Sequence, residues 1–589
     1  MMMRAGRLAG ISLCVLALGA CASEGDEGVD AGVAVDDEYG KPLLAPELSD
    51  GKADSFDGLQ GPQTAVISAE TEVWKVTRRW YDVTAEAGLA WPADSGLTWD
   101  EKYAAWIASM EKMPADSGSY TTFRLTTPWG KSLPAPTLEC AETAIFLRVT
   151  FASWYGLPFF LTAHSPTLGT MHFGHFGIVD ADGRRIAGYP RFARSYKDHT
   201  AAMAGLSNEE IAAQWPTDAE LRGKVLTTLR DDRNPFLGAD AYAGAYFDEA
   251  FLNKRVGQFL LRALTNLGSI HLIDSRRNTF NLKADAIRPG DTMLERWQAK
   301  GIGHTLVVKR VEARDGGHLD IEAAYGSMPR IQPRWYDTGL TRQTFTSDLT
   351  GGPGESYEGD RYVTLGGGLK RWRTPVTKSG RWYNVVPARD REVYINSTDF
   401  EALAARPAQF DALMGELSPT AERDIYIQQI ETARESLRQH PASCSNRERR
   451  EEAFKKLVAI NEAEFGIDAA TTDRTYRQLE DYVFAELVYT ESKTCCWNST
   501  TEAMYVLIMA LNEQRTQDTA TASCNPPLVF KARGGDYAEF RDFAVANDQE
   551  AAWVAWSADE TCPQAGVLDD LETQHQWSDF CSISEDLLD

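Results

Sequence analysis

Six of the nine cysteines crowd into the last third of the chain: Cys444, Cys495, Cys496, Cys524, Cys562 and Cys581. Cys14 and Cys21 lie near the N-terminus, and Cys140 stands alone between the two groups. An even, clustered set reads as disulfides that staple one unit, while a solitary cysteine belongs to a different one. Charge divides the chain in the same way. Residues 22–58 carry a net charge of −9, residues 401–589 carry −19, and residues 59–400 sit near +1. A chain of 589 residues exceeds one ordinary core. The acidic balance speaks against nucleic acid as the main partner, since phosphate binding needs clustered cations.

Arg4 and Arg7 precede an apolar run over residues 8–18, too short to span a bilayer and suited to a signal-peptide core. It ends in Leu18-Gly19-Ala20-Cys21, which resembles the bacterial lipobox. That resemblance implies a signal peptide over 1–20, lipidation of Cys21, and a membrane held through the anchor. Ala22, where inner-membrane lipoproteins often carry Asp, favours the outer membrane of a bacterial cell envelope. Residues 21–58, acidic and poor in aromatics, read as a disordered tether. Export places the later cysteines in an oxidising compartment.

Pro134 and Pro136 forbid helix before about Thr137, which is expected to cap a helix beginning just after it. Good helix formers then run through Tyr155, and Gly156 and Pro158 stop them. Cys140 falls in the first turn, where free N–H groups and the helix dipole favour a thiolate and an oxyanion. The strongly apolar stretch 143–163 contains Arg148 and reads as a buried core helix rather than a membrane span. Residues 287–327 read as three strands. Pro289-Gly290 turns into 291–297, Gly303-His304 opens a strand through Val311, and a turn at 314–317 returns 318–324.

Together, Cys140 at a helix start, the Pro289-Gly290-Asp291 strand and the Gly303-His304 strand with its hairpin resemble the papain-like NlpC and CHAP cysteine peptidases and amidases. The resemblance implies an α+β fold over 59–398, with the nucleophile helix packed on an antiparallel sheet and a helical insertion at about 164–286. It implies Cys140 as nucleophile, His304 as base and an orienting residue on the third strand. Glu322 is the first choice there, ahead of Asp320 and His318. The implied substrate is a peptide or a peptidoglycan-like amide, with no cofactor and no metal. Glu139 stands where the family more often has Asp, and no counterpart of the upstream oxyanion glutamine is present.

Two rival readings stand beside it. The Cys140-Ala141-Glu142 helix and Gly156-Leu157-Pro158 also look like the core of transglutaminase-like acyltransferases, with His175 as the base. A non-catalytic surface binding lipoprotein on a decayed papain-like fold is the other. His172 and His175 have i, i+3 spacing, which suits a metal only on a helix, whereas the local pattern is strand. The cluster of Arg371, Trp372, Arg373, Arg381, Trp382 and Tyr383 reads either as a grip on an acidic or sugar-bearing substrate or, preferentially, as an arm packed over the core. Residues 399–589 read as an acidic, mainly helical domain stapled by disulfides, with helices over 420–439, 446–465, 473–492 and 499–514.

Overall fold

The computed structural model describes residues 55–64, 70–116, 120–228, 230–299, 303–356, 359–439, 444–483, 487–489, 502–519, 526–529, 537–553 and 567–569. The signal segment, Cys21 and nearly all of the tether lie outside them. So do Cys495, Cys496, Cys524, Cys562 and Cys581, and of Cys444 only the backbone is described. The expected disulfides therefore fall outside the described residues.

Helix α1 spans Cys140–Trp154, and every residue from Cys140 to Ala152 is buried. It ends where the sequence says it should. Gly156 takes φ +63°, and the Leu157 N–H reaches back to the Ala152 carbonyl, a left-handed stop that glycine adopts without strain. Arg148 inside this apolar helix is matched by the Asp100 carboxylate at 3.3 Å and lies over the Trp80 ring at 3.5 Å. Arg148, Arg288 and Arg389 together hold the buried Asp100 carboxyl well below its ordinary range, against the opposing effect of burial. No helix among the described residues is long and apolar enough to cross a membrane.

The fold is mixed α and β, built on antiparallel sheets. The main sheet has strands β1 Thr279–Leu282, β2 Thr292–Glu295, β3 His304–Ala313, β4 Leu319–Tyr325, β5 Arg334–Tyr336, β6 Gly368–Trp372 and β7 Tyr394–Ile395. Its spatial order is β5-β4-β3-β2-β6-β1-β7, antiparallel throughout. The three strands expected in 287–327 are β2, β3 and β4, with the turn at Asp315–Gly317. One face of the sheet, with Leu294, Val307 and Ala324, joins the core that contains α1. The other face, with Met293, Leu306, Val308, Ile321, Ala323 and Tyr325, packs on Phe345, Phe410 and Met414. Those come from helices α3 Thr338–Phe345 and α4 Arg406–Met414, the short helix α2 being Ser269–Ile273.

The insertion is less helical than its composition implies. It opens with a three-stranded meander, Phe160–Ser165, Gly169–Gly174 and Gly177–Asp180. Residues 207–230, whose composition suggests a helix, yield only Asn208–Ala213 and Ala219–Arg222, because Pro216 lies between them. The helical stretch expected at 247–266 is split: Lys254–Asn266 falls inside it, and a separate helix Ala243–Ala250 precedes it.

Beyond residue 399, helices α5 Pro419–Gln439 and α6 Cys444–Ile460 match two of the expected segments. The expected helix over 473–492 does not form as one. The chain makes Ala469–Tyr476 and Leu479–Val483, then a strand Leu487–Tyr489 paired with Val567–Asp569. Asp481 draws this break inward. Its buried carboxylate binds Arg434 and Arg450, which fixes the chain direction between the two short helices. Helix Glu502–Thr519 extends the last expected segment.

Candidate functional site

Cys140 is the first residue of α1 and is 8% exposed. Thr137 does not cap it. The Thr137 N–H and hydroxyl are taken by Asn234 and the Arg233 carbonyl, so Glu139 becomes the N-cap residue. The Glu139 N–H donates to the Glu142 carboxylate at 2.9 Å. Arg330 then closes the helix start from outside. It bonds Glu142 twice, at 2.9 and 2.8 Å, Glu139 at 2.9 Å and Asp231 at 2.8 Å. Burial disfavours its charge, but the three carboxylates more than reverse that and hold the guanidinium firmly ionised. Gly326, one residue after β4, lies against the same helix start. A Cβ there would stand 2.1 Å from the Leu138 carbonyl oxygen, so only glycine allows this approach.

The Cys140 thiol points to the head of β3, with Sγ 3.8 Å from the Gly303 carbonyl. The Gly303 N–H donates to Ser269 Oγ at 3.1 Å, which ties α2 to the same spot. Cys140 thus lies beside the residue that precedes His304. The imidazole itself goes elsewhere. His304 shares its face of β3 with Leu306 and Val308, away from α1. Its ring meets Tyr325 edge-on at 4.7 Å, and the Tyr325 hydroxyl is 2.8 Å from that of Tyr336. Burial lowers the His304 pKa to about 3, with the Arg449 charge adding to the effect.

Glu322 is not brought to His304. The ladder sets it opposite Arg310, far down the strand, where it binds Lys112 at 2.6 Å, Arg310 at 3.3 Å and the Trp335 indole N–H at 3.2 Å. Asp320 pairs with Arg314, and the His318 ring nitrogen lies 3.3 Å from the Ala412 carbonyl. None of the three reaches the imidazole, because the hairpin carries them toward its turn while His304 is at the opposite end. The carboxylate beside His304 is Glu295. The two residues are direct partners in the β2–β3 ladder, so their side chains leave the same face a few ångströms apart. Burial raises the Glu295 pKa, opposed by Arg449. The sequence signal for Glu295 was hairpin register rather than spacing: counting back from His304 across the β2–β3 loop leads to it.

His175 lies at the wrong end of the helix. Its Nδ1 is 2.9 Å from the Phe159 carbonyl, just past the α1 C-terminus, and its ring packs on Trp382 at 4.6 Å. The 15-residue helix separates it from Cys140 by about 22 Å. The Cys140/His175 pairing of the transglutaminase-like reading is therefore overturned. Burial lowers the His175 pKa to about 4 and that of His172, whose Nδ1 is 3.0 Å from Thr162 Oγ1, to about 3. No group of three metal-binding side chains converges among the described residues.

The arginine and tryptophan cluster is structural. Arg371 binds Asp291 at 2.7 and 2.8 Å and Asp390 at 2.9 Å, all buried. Arg373 is taken by the carbonyls of Ser275 and Thr279. Compared with family models, with curated proteins and with solved structures, the chain matches none of them.

Proposed function

We propose that this chain is an exported thiol hydrolase that attacks amide bonds through Cys140, with His304 as its base. One observation carries the reading: the Cys140 thiol heads a buried helix and lies 3.8 Å from the carbonyl of the residue preceding His304. A helix start stabilises a thiolate, and the backbone N–H groups of its first turn can stabilise an oxyanion. Attack of the thiolate on an amide carbonyl would give a thioester and an amine. Water would then hydrolyse the thioester. For this chemistry His304 would have to leave the Tyr325 face and reach the thiol, which lies toward the opposite face of the sheet. Glu295 is the carboxylate placed to travel with it.

The papain-like fold, lipidation at Cys21, outer-membrane location and cell-wall peptide substrates belong to the same proposal. They rest on the residue motifs in the sequence. A second reading, a surface binding lipoprotein without catalysis, is favoured by the buried thiol and by the imidazole turned to the opposite face of the sheet.

The deciding measurement is amide hydrolysis of peptidoglycan stem peptides by the wild type, Cys140→Ala and His304→Ala. The expected result is loss of about three orders of magnitude or more in both variants, with folding retained. Activity that survives Cys140→Ala would overturn the thiol mechanism, and a wild type without hydrolysis would leave the binding reading in place.

A further inference from the structure

Toward the β7 edge of the main sheet lies a polar recess, walled by Ser275, Asn281 of β1, Gly366, Gly367, Lys370 of β6 and Ser397. Phe400 and Leu403 close its apolar side. Its free space, open mouth included, is about 280 Å³, too little for a nucleotide and enough for one small group. The register of β6 and β1 sets Lys370 directly opposite Asn281. The buried ammonium donates to Asn281 Oδ1 at 2.6 Å and to the Ile273 carbonyl, at the end of α2, at 3.3 Å. Asn281 thus spends its oxygen on Lys370. Its Nδ2 has no hydrogen-bond partner among the described residues, although the residue is only 2% exposed. The Ser275 hydroxyl, on a residue 1% exposed, has none either. A native fold keeps few buried donors without an acceptor, and two of them line one recess.

The charges point the same way. No Asp or Glu lines the recess, and Asp274, next to Ser275, pairs with Arg277 at 3.0 Å. Behind the wall made by Gly367 and Leu403 lies Arg406, the buried first residue of α4. Carbonyls alone hold its guanidinium: Leu403 at 3.3 Å, Leu369 at 3.0 Å and Gly367 at 3.0 Å. Arg148, Arg330 and Arg371 are as deeply buried and each has a carboxylate partner. Arg406 pairs with none among the described residues, and burial pushes its pKa down to about 10. A buried cation without a counter-charge is costly, so an anion in the recess would offset it.

We propose that this recess is a binding site for a single carboxylate group, which accepts from Asn281 Nδ2 and the Ser275 hydroxyl in the field of Lys370 and Arg406. The site stands apart from the proposed thiol chemistry. The carboxylate belongs either to a small free acid or to the end of a peptide chain.

The test is thermal unfolding of the full chain at fixed ionic strength, with sodium acetate replacing sodium chloride in steps and acetamide as the uncharged analogue. The expected result is a midpoint that rises with acetate and saturates, with no rise from acetamide. Two variants probe the wall. Asn281→Asp keeps the Lys370 contact and fixes a carboxylate in the recess, and Ser275→Val removes the hydroxyl at similar size. Acetate affinity should fall about tenfold or more in Asn281→Asp and severalfold in Ser275→Val. Without acetate, Asn281→Asp should unfold no earlier than the wild type. No rise with acetate, a rise matched by acetamide, or an acetate effect undiminished in both variants overturns the site. A dipeptide compared with its C-terminal amide then names the source. Binding of the free-acid dipeptide tighter than acetate assigns the end of a peptide chain, and weaker binding assigns a small free acid.

Discussion

On one face of the main sheet α1 lays a continuous buried surface, with Ile145, Phe146 and Val149 in the same core as Leu294, Val307 and Ala324. On the other, α3 and α4 contribute Phe345, Phe410 and Met414 against Met293, Leu306 and Val308. The two faces are alike in apolar character and differ in how their polar groups are handled. The α1 face places Arg330 among three carboxylates, an ion-paired cluster whose members bond one another. The α3 face buries His304 and Glu295 in conditions that push both toward neutrality. A satisfied ionic cluster fixes geometry. A pair kept neutral by burial can change charge when the burial changes. The difference separates the part that anchors the thiol from the part able to respond.

Removing Arg330 should test the anchored side most severely. Arg330→Ala leaves Glu139, Glu142 and Asp231 without their shared cation, and the expected loss is about 3–5 kcal/mol. Urea unfolding followed by tryptophan fluorescence measures it. A loss below about 1 kcal/mol would mean that the helix start does not depend on this cluster.

The responsive side should show itself in pH. The His304 pKa is depressed from 6.5 to about 3, and that of His172 likewise, so the unfolded chain binds more protons between those values. Their contribution to stability is present above about pH 6.5 and is lost as the pH falls toward 3, at up to about 1.4 kcal/mol per pH unit for each histidine. His304→Gln should flatten the stability–pH curve in that window by about one proton. An unchanged slope would mean that the imidazole is solvated and already turned toward the thiol.

The smallest expected effect separates the two glutamates. Glu322→Gln should leave amide hydrolysis within about twofold, since its carboxylate serves Lys112 and Arg310 at a partly exposed position. Glu295→Gln should lower hydrolysis by about tenfold or more if this carboxylate moves with His304. The reverse ranking would restore Glu322 to the site and break the distinction between the faces.

The strand order around His304 was legible because Pro289-Gly290 and the Arg314–Gly317 turn punctuate the sequence, and because Gly156 stops α1. The face of His304 was not. Residues 304–308 read His-Thr-Leu-Val-Val, apolar on both sides, so alternation cannot say which side chain meets which layer. Glu322 was misassigned for a related reason. It was chosen for its place on the third strand of the resemblance, whereas contact across a hairpin depends on register, and register set Arg310 opposite it. In the helical region, charge-rich spacing located α5 and α6 but could not foresee that the buried Asp481 would interrupt the next helix.

The β3–β4 ladder is irregular between Val308 and Arg310, where Lys309 stands as one residue too many. Up to that point the odd-numbered side chains of β3 face α1, and beyond it the even-numbered ones do, as Arg310 and Glu322 beside Trp335 show. The extra residue therefore acts as a phase marker. Shifted upstream past His304, it would present the imidazole to the thiol layer with no change of amino acid. Which chemistry this strand supports is thus a matter of where one surplus residue is parked, a variable that substitution scanning would never touch and that a single-residue deletion or insertion would.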